Sequence, residues 1–411
     1  MCAVAWKTKT SMRHLTGKST LTHKCSALNP FSLATSIEPL TVPPQKVAET
    51  DSSWATGDTH QSKVFYNNEY FFVFFVNDLI DTTHRKAYYA TSDFGYDWDV
   101  KPFPVIAGVE YMYQGQAGNL DVYLRDKSRC YFGWVFNRVA PYSARGDISG
   151  TTFTRSLLWG YSESGIYVIK SKLNLRLDGK FYTLVHRSDY KLDCLYVPDP
   201  WAVGTCYILI EKGGLGWSEN SGGVQLLNYK TSSPYDMLAL VKQGTDNMLY
   251  SAILYENITL SSLFPIAVLT NGFSSFCACS EAQDVGDTEI IDIVYIKSTG
   301  ELAHKSFLND ELTDETILCE SGASYPVIAC GKGGRRYVRY VKDGEIKQQK
   351  LRNLNGIIQI LTPEEKLFPE HTYNNPAYLS TNQNVQHGQI CLVWTEGASA
   401  PYEVWFCTIG D

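Results

Sequence analysis

Residues 91–98 read Thr-Ser-Asp-Phe-Gly-Tyr-Asp-Trp, an octet that dictates its own shape. The Asp93 carboxylate can accept hydrogen bonds from neighbouring backbone amides. Gly95 leaves room where a Cβ would clash, and Trp98 supplies an aromatic plug for the sheet behind the turn. Such a segment is a tight connection between two antiparallel strands. Its flanks agree: residues 62–66, 69–76, 86–90 and 98–102 are short runs of aromatic and β-branched residues and predict four strands. Four antiparallel strands in roughly 45 residues make one small twisted sheet, the unit of a repeat architecture. Asp93, Gly95 and Trp98 are read as structural residues of this turn.

The unit recurs with its sequence degraded. After a first unit over 60–104, a second runs over 120–172, and a third places strands near 181–185, 192–197 and 205–210. The fourth has strands at 237–242, 248–255 and 258–263. The fifth has them at 273–279, 289–296, 301–307 and 315–319. The sixth uses 325–330, 336–341, 345–350 and 357–361. The seventh stops at Asp411 with only three, 376–380, 389–394 and 402–408. An open sheet edge leaves unpaired backbone groups, so a fourth strand for the last unit is expected from the other end of the chain, around residues 36–42. Traces of a second and third turn remain in Ser162-Glu163-Ser164-Gly165 and Gly213-Gly214-Leu215-Gly216-Trp217. The octet is similar to the Asp-box of β-propellers, where it joins the outer two strands of a blade. The expected fold is therefore all-β: a single seven-bladed propeller over 56–411, or six blades with the third unit as an insertion. Residues 1–55 form an N-terminal extension that closes the ring.

Composition limits the function classes. Of the 411 residues 44% are hydrophobic and 13% aromatic, so a large core can be buried, and the formal charge of −7 argues against a general nucleic-acid binder. No apolar run approaches the roughly 18 residues of a membrane-spanning helix. The 11 cysteines are an odd number with neither CxxC pairs nor zinc-ligand spacing, and most fall inside predicted strands. They read as small buried hydrophobes of a reducing compartment, and neither metal nor cofactor is expected. The first 37 residues hold no acidic side chain but carry Lys7, Lys9, Arg13, Lys18 and Lys24 among many Ser and Thr. Without an apolar core this is no secretory signal. It suits a transit peptide or a basic arm that docks a protein partner.

Chemistry is expected where connections are long. The second-to-third connections of units one to three (77–85, 137–153 and 198–204) are longer than those of units four to six, which points to an off-centre cleft. His60, His84 and Arg85 come to it from unit one, and Asn137, Arg138, Tyr142, Arg145 and Arg155 from unit two. His371, Asn374 and Asn375 open unit seven, which abuts unit one in a closed ring. Histidines beside arginines above an aromatic floor can bind an acidic sugar and move a proton.

The run Asp58-Thr59-His60-Gln61-Ser62, then Asn67-Asn68-Glu69-Tyr70, His84 and Tyr88-Tyr89-Ala90-Thr91-Ser92 resembles the first blade of Asp-box propellers, in particular the propeller-type ulvan lyases. The resemblance covers the first 110 or so residues of the propeller as sequence and the rest as repeat architecture. It implies β-elimination on an anionic, uronate-containing polysaccharide. His60 and His84 take the two histidine positions and Arg138 the arginine, while the tyrosine falls to Tyr142 or Tyr123. Arg138, with Asn137, would neutralise the uronate carboxylate, a neutral histidine would remove the adjacent proton, and the tyrosine would protonate the leaving oxygen. Arg85, Arg145, Arg155, His371, Asn374 and Asn375 would line the substrate path. The competing reading is a non-catalytic module that binds a glycan or protein within a larger assembly.

Overall fold

The computed structural model describes residues 40–79, 84–104, 111–113, 120–136, 140–160, 168–175, 180–187, 192–197, 204–205, 207–212, 223–231, 233–243, 245–257, 259–272, 274–280, 290–382 and 388–411. Their strands form seven sheets. Sheet I contains Val64–Tyr66, Phe71–Leu79, His84–Ser92 and Asp99–Pro102, with Tyr111–Tyr113 added beside the third. Sheet II contains Asp121–Asp126, Arg129–Phe136, Ala140–Ser149 and Thr152–Gly160, with Gly204–Thr205 in parallel at its edge. Sheet III is Val168–Leu175, Phe181–Arg187, Leu192–Val197 and Tyr207–Lys212. Sheet IV is Gly223–Asn228, Met237–Lys242, Met248–Leu254 and Phe264–Val268. Sheet V contains Phe276–Ser280, Ile290–Ile296 and Leu302–Leu308, with Glu311–Leu312 and Thr316–Cys319 sharing its outer edge. Sheet VI is Ser324–Cys330, Arg335–Lys342, Glu345–Leu354 and Ile357–Lys366. Sheet VII has Ala377–Thr381, Gln389–Glu396 and Tyr402–Gly410.

The missing strand of sheet VII is Val42–Thr50, which pairs antiparallel with Tyr402–Gly410 and brings the two ends of the described chain into one sheet. It lies a few residues beyond the expected 36–42, and Pro43 and Pro44 are accommodated because the strand is an edge. The innermost strand of each sheet packs against that of the next, and Val64–Tyr66 completes the circuit against Gln389–Glu396. No described helix is long and apolar enough to cross a membrane.

Three strand assignments differ from the periodic reading. Val168–Leu175 is the inner strand of sheet III, not the last of sheet II. Gly223–Asn228, outside the expected strands, is the fully buried inner strand of sheet IV, and the last strand of that sheet is Phe264–Val268 rather than the expected 258–263. The long connection expected over 137–153 is also mostly strand. Ala140–Ser149 and Thr152–Gly160 form a hairpin, so Tyr142, Arg145 and Arg155 stand on strands. Gly146 explains the misreading. Its ideal Cβ would lie 2.8 Å from Phe132 Cζ and 2.8 Å from Phe153 Cδ2, so the bare backbone is the seat of two phenyl rings. Those rings belong to the aromatic wall between sheets I and II, where Phe103 meets Phe132 at 5.0 Å and Phe153 at 5.2 Å. Gly146→Ala is expected to cost about 1–3 kcal/mol by overpacking, readable as a lowered urea midpoint with unchanged slope.

The opening octet joins the third and fourth strands of sheet I. Ser92 Oγ accepts from Gly95 N at 2.8 Å, and Asp93 Oδ1 accepts from Phe94 N at 2.9 Å. Gly95 has φ +80°, and a Cβ there would meet Phe406 Cε1 at 3.0 Å and Val42 at 3.3 Å. The turn therefore seats against the strands that complete sheet VII, with Trp98 edge-on to Phe406 at 4.9 Å.

Candidate functional site

The chain between Ala55 and Lys63 interrupts the inner edge of sheet I. Val76 N donates to Ala55 O at 3.1 Å and Phe74 N to Lys63 O at 2.8 Å, so the seven residues 56–62 leave the ladder and return to it. Every residue from Ala55 to Phe65 is buried, and their hydrogen bonds run to three other sheets, with a packing contact to a fourth. Thr56 Oγ1 donates to Tyr378 O at 2.7 Å in sheet VII, and Thr59 Oγ1 to Phe276 O at 2.8 Å in sheet V. Ser62 N donates to Asp121 Oδ1 at 2.8 Å in sheet II. The Lys63 ammonium donates to Gln61 Oε1 at 2.8 Å and to the Leu120 carbonyl. His60 stacks on Phe276, centroids 5.2 Å apart and planes 3° apart, and its Cε1 would lie 3.2 Å from a Cβ on Gly223 in sheet IV. The segment is an axial plug that ties the ring together across its middle.

Lys242 braces the neighbouring connection of sheet V. Its ammonium donates to Thr270 O and Gly272 O, both at 2.6 Å, and to Ser275 Oγ at 2.9 Å. Burial pulls its pKa down to about 7.

The plug encloses the first expected site residue. His60 has no exposed surface, so a polymer cannot reach it in this conformation to give up a proton to it. His84 and Arg85 begin a strand, facing Tyr113 and Met112 across the ladder, and their side chains lie outside the described residues. Asn137 and Arg138 lie wholly outside them; for Tyr142 and Arg155 only the backbone is described. Arg145 is 7% exposed and paired with Asp147 at 3.1 Å, which places it on the wall of sheet II.

The residues expected to open unit seven do come together. His371 Nε2 lies 3.3 Å from Glu396 Oε1, Trp394 Nε1 donates to the same oxygen at 2.7 Å, and Asn374 N donates to Glu396 Oε2 at 3.0 Å. The carboxylate is 1% exposed and the histidine side chain 14%. Aromatic rings wall the imidazole, with Tyr373 at 4.6 Å and Trp405 at 4.8 Å, both edge-on. Lys366 Nζ lies 5.6 Å from the Tyr373 ring centre, and Asn374 and Asn375 are exposed beside it. With Nε2 turned to the buried carboxylate, the imidazole has Nδ1 as its second polar atom. This seam between sheets VI and VII can therefore orient a polar ligand.

Glu396, Trp394 and Trp405 were not among the expected residues. Their signal is Trp394-Thr395-Glu396 on one strand and Glu403-Val404-Trp405 on the next. At a period of two, each Trp and its Glu share a face. Trp394 pairs with Trp405 and Glu396 with Glu403 across the ladder.

No protein-family model and no curated protein matches the chain. Solved structures do match. The BP39L lectin of Burkholderia pseudomallei superposes with a TM-score of 0.63 at 12% identity, over 86% of this chain and 98% of the lectin. The polysaccharide lyase Uly1 gives 0.52 at 7% identity, over 90% of this chain and 99% of the lyase. The WD40 domain of Toxoplasma gondii coronin gives 0.52 at 11%, over 91% and 88%. The chain folds as a β-propeller. Three neighbours of such different names share this propeller's architecture, so its chemistry has to be argued from its own surface.

Proposed function

We propose that this propeller, its seven sheets serving as seven blades, binds carbohydrate and takes an anionic polysaccharide or glycan at the seam between sheets VI and VII. The observation that carries the reading is the His371–Glu396 pair inside its aromatic wall. Sugar rings offer C–H faces that pack on aromatic rings and hydroxyls that need fixed donors and acceptors. Tyr373, His371, Asn374 and Asn375 supply both, and Lys366 stands by for a carboxylate, although it also pairs with Glu345 at 3.2 Å. The lectin and lyase among the structural neighbours support the same class of ligand. A protein partner docked by the basic arm is compatible with this reading.

Cleavage by β-elimination is its sharper form. With His60 sealed in the plug, it rests on His84 as base, Arg138 as carboxylate clamp and Tyr142 as acid. The test is retention of the full chain on immobilised polygalacturonate, alginate and ulvan, while the supernatant is followed for the ultraviolet absorbance of an unsaturated uronate. Binding is expected, with His371→Ala weakening it about tenfold, the loss of one well-placed polar contact. No retention on any of the three sinks the reading. Retention without absorbance sinks cleavage alone, and absorbance that His84→Ala abolishes establishes it.

A further inference from the structure

Two tyrosines at matching places in sheets VI and VII are held in a conformation that bulky side chains avoid. Tyr325, second residue of Ser324–Cys330, has φ +51°, and Tyr378, second residue of Ala377–Thr381, has φ +54°. Each sits at a register shift, between Ser324 and Val327 in one ladder and between Ala377 and Ser380 in the other. A left-handed β-bulge on a bulky residue is strained. It persists where the surrounding structure fixes it, and such outliers cluster at binding sites. Here the strain is repeated at equivalent positions, and its effect is to turn both rings towards each other, 4.8 Å apart and tilted by 52°.

Trp54 completes the group. Its ring centre is 6.2 Å from that of Tyr378, and it is 42% exposed although it directly precedes the buried plug. Its turn is anchored on both sides: Trp54 N donates to Ser52 Oγ at 3.3 Å, Gly57 N donates to Trp54 O at 3.1 Å, and Thr56 fastens the turn to the Tyr378 carbonyl. Burial raises both phenols above their ordinary pKa, which keeps them protonated.

We infer that Trp54, Tyr378 and Tyr325 form a preorganised stacking platform for a pyranose ring, with Trp54 under the ring face and the Tyr325 hydroxyl as a polar partner for a ring substituent. The platform lies where the inner strands of sheets VI and VII begin, and Asn375 leads directly into the strand that carries Tyr378. It deepens the carbohydrate reading and rests on it. The tyrosines spend strain to preset the geometry, so little ordering is left to the binding step.

Isothermal titration of the full chain with trigalacturonate and with cellotriose tests it. Trp54→Ala is expected to raise the Kd about tenfold, Trp54→Phe to retain most of the affinity, and Tyr325→Phe to weaken binding several-fold while keeping the ring. Trp54 is exposed and Tyr325→Phe conserves shape, so thermal midpoints should stay near that of the wild type. Unchanged affinity in Trp54→Ala and Tyr325→Phe, with binding lost in His371→Ala, overturns the platform and leaves the carbohydrate reading intact. Wild-type protein that binds neither oligosaccharide and none of the immobilised polysaccharides overturns both.

Discussion

Asp292→Ala is expected to lower the stability of the propeller by about 3–5 kcal/mol, because it strands a buried cation. Asp292, His304 and Arg336 are 0%, 0% and 1% exposed. One carboxylate oxygen lies 2.9 Å from His304 Nε2 and accepts from Ser306 Oγ at 2.8 Å and Asn353 Nδ2 at 2.6 Å, and the other accepts from Arg336 Nε. Asp292, His304 and Ser306 belong to sheet V, and Arg336 and Asn353 to sheet VI, so the network rivets two neighbouring sheets. Burial alone would raise the Asp292 carboxyl, yet Arg336 and His304 outweigh it and hold the carboxyl well below the ordinary range. A carboxyl depressed on folding contributes stability that is fully present above its unfolded value near 3.9 and is lost as pH falls through the folded value. Wild-type stability should therefore decline below about pH 4, and Asp292→Ala should flatten that decline. Urea unfolding across pH reads both effects. A loss of less than about 1 kcal/mol at neutral pH would show that the rivet carries no weight. Replacing Asp292 and Arg336 together by Leu and Met should recover much of the loss, since it removes the stranded charge along with its partner.

How far the sequence discloses this fold depends on the range of the contacts involved. Phe71–Leu79, Ile290–Ile296 and Gln389–Glu396 are legible because aromatic and β-branched runs bounded by turn residues are local signals. The hairpin of sheet II is not, because Pro141, Gly146 and Gly150 look like breakers until Phe132 and Phe153 are seen resting on Gly146. The ring-closing strand follows from counting unpaired edges, which is why its existence was easier to foresee than its position. The plug was hidden more completely. Thr56, Asp58, Thr59, Gln61 and Ser62 are the composition of a solvated loop, and only partners such as Phe276, 217 residues from Thr59, explain why they are buried. His371 was recognisable as a polar residue opening an inner strand, whereas the carboxylate that orients it enters from the following strand. Tyr325 and Tyr378 carry no local mark of their left-handed backbone. Both would pass for ordinary strand aromatics.

The burial of His60 in the plug predicts how its removal behaves. His60→Ala empties a stacked position between Phe276 and Gly223 and should cost roughly 2–4 kcal/mol, as other truncations of fully buried side chains do. Gly223→Ala attacks the same contact from the other side. Its new Cβ would meet Phe276 Cε1 at 2.7 Å and His60 Cε1 at 3.2 Å, and overpacking of that kind costs about 1–3 kcal/mol. Because removing the imidazole relieves part of the clash, the double variant should be less destabilised than the sum of the two, and chemical unfolding of all four proteins gives the coupling. Well below its unfolding transition, His60→Ala should still be retained on polysaccharide like the wild type. A catalytic histidine would give the opposite pattern, with stability kept and any eliminase activity gone. Strict additivity of His60→Ala and Gly223→Ala, together with an unchanged urea midpoint for the first, would remove His60 from the axis of the ring and return it to the reacting sugar.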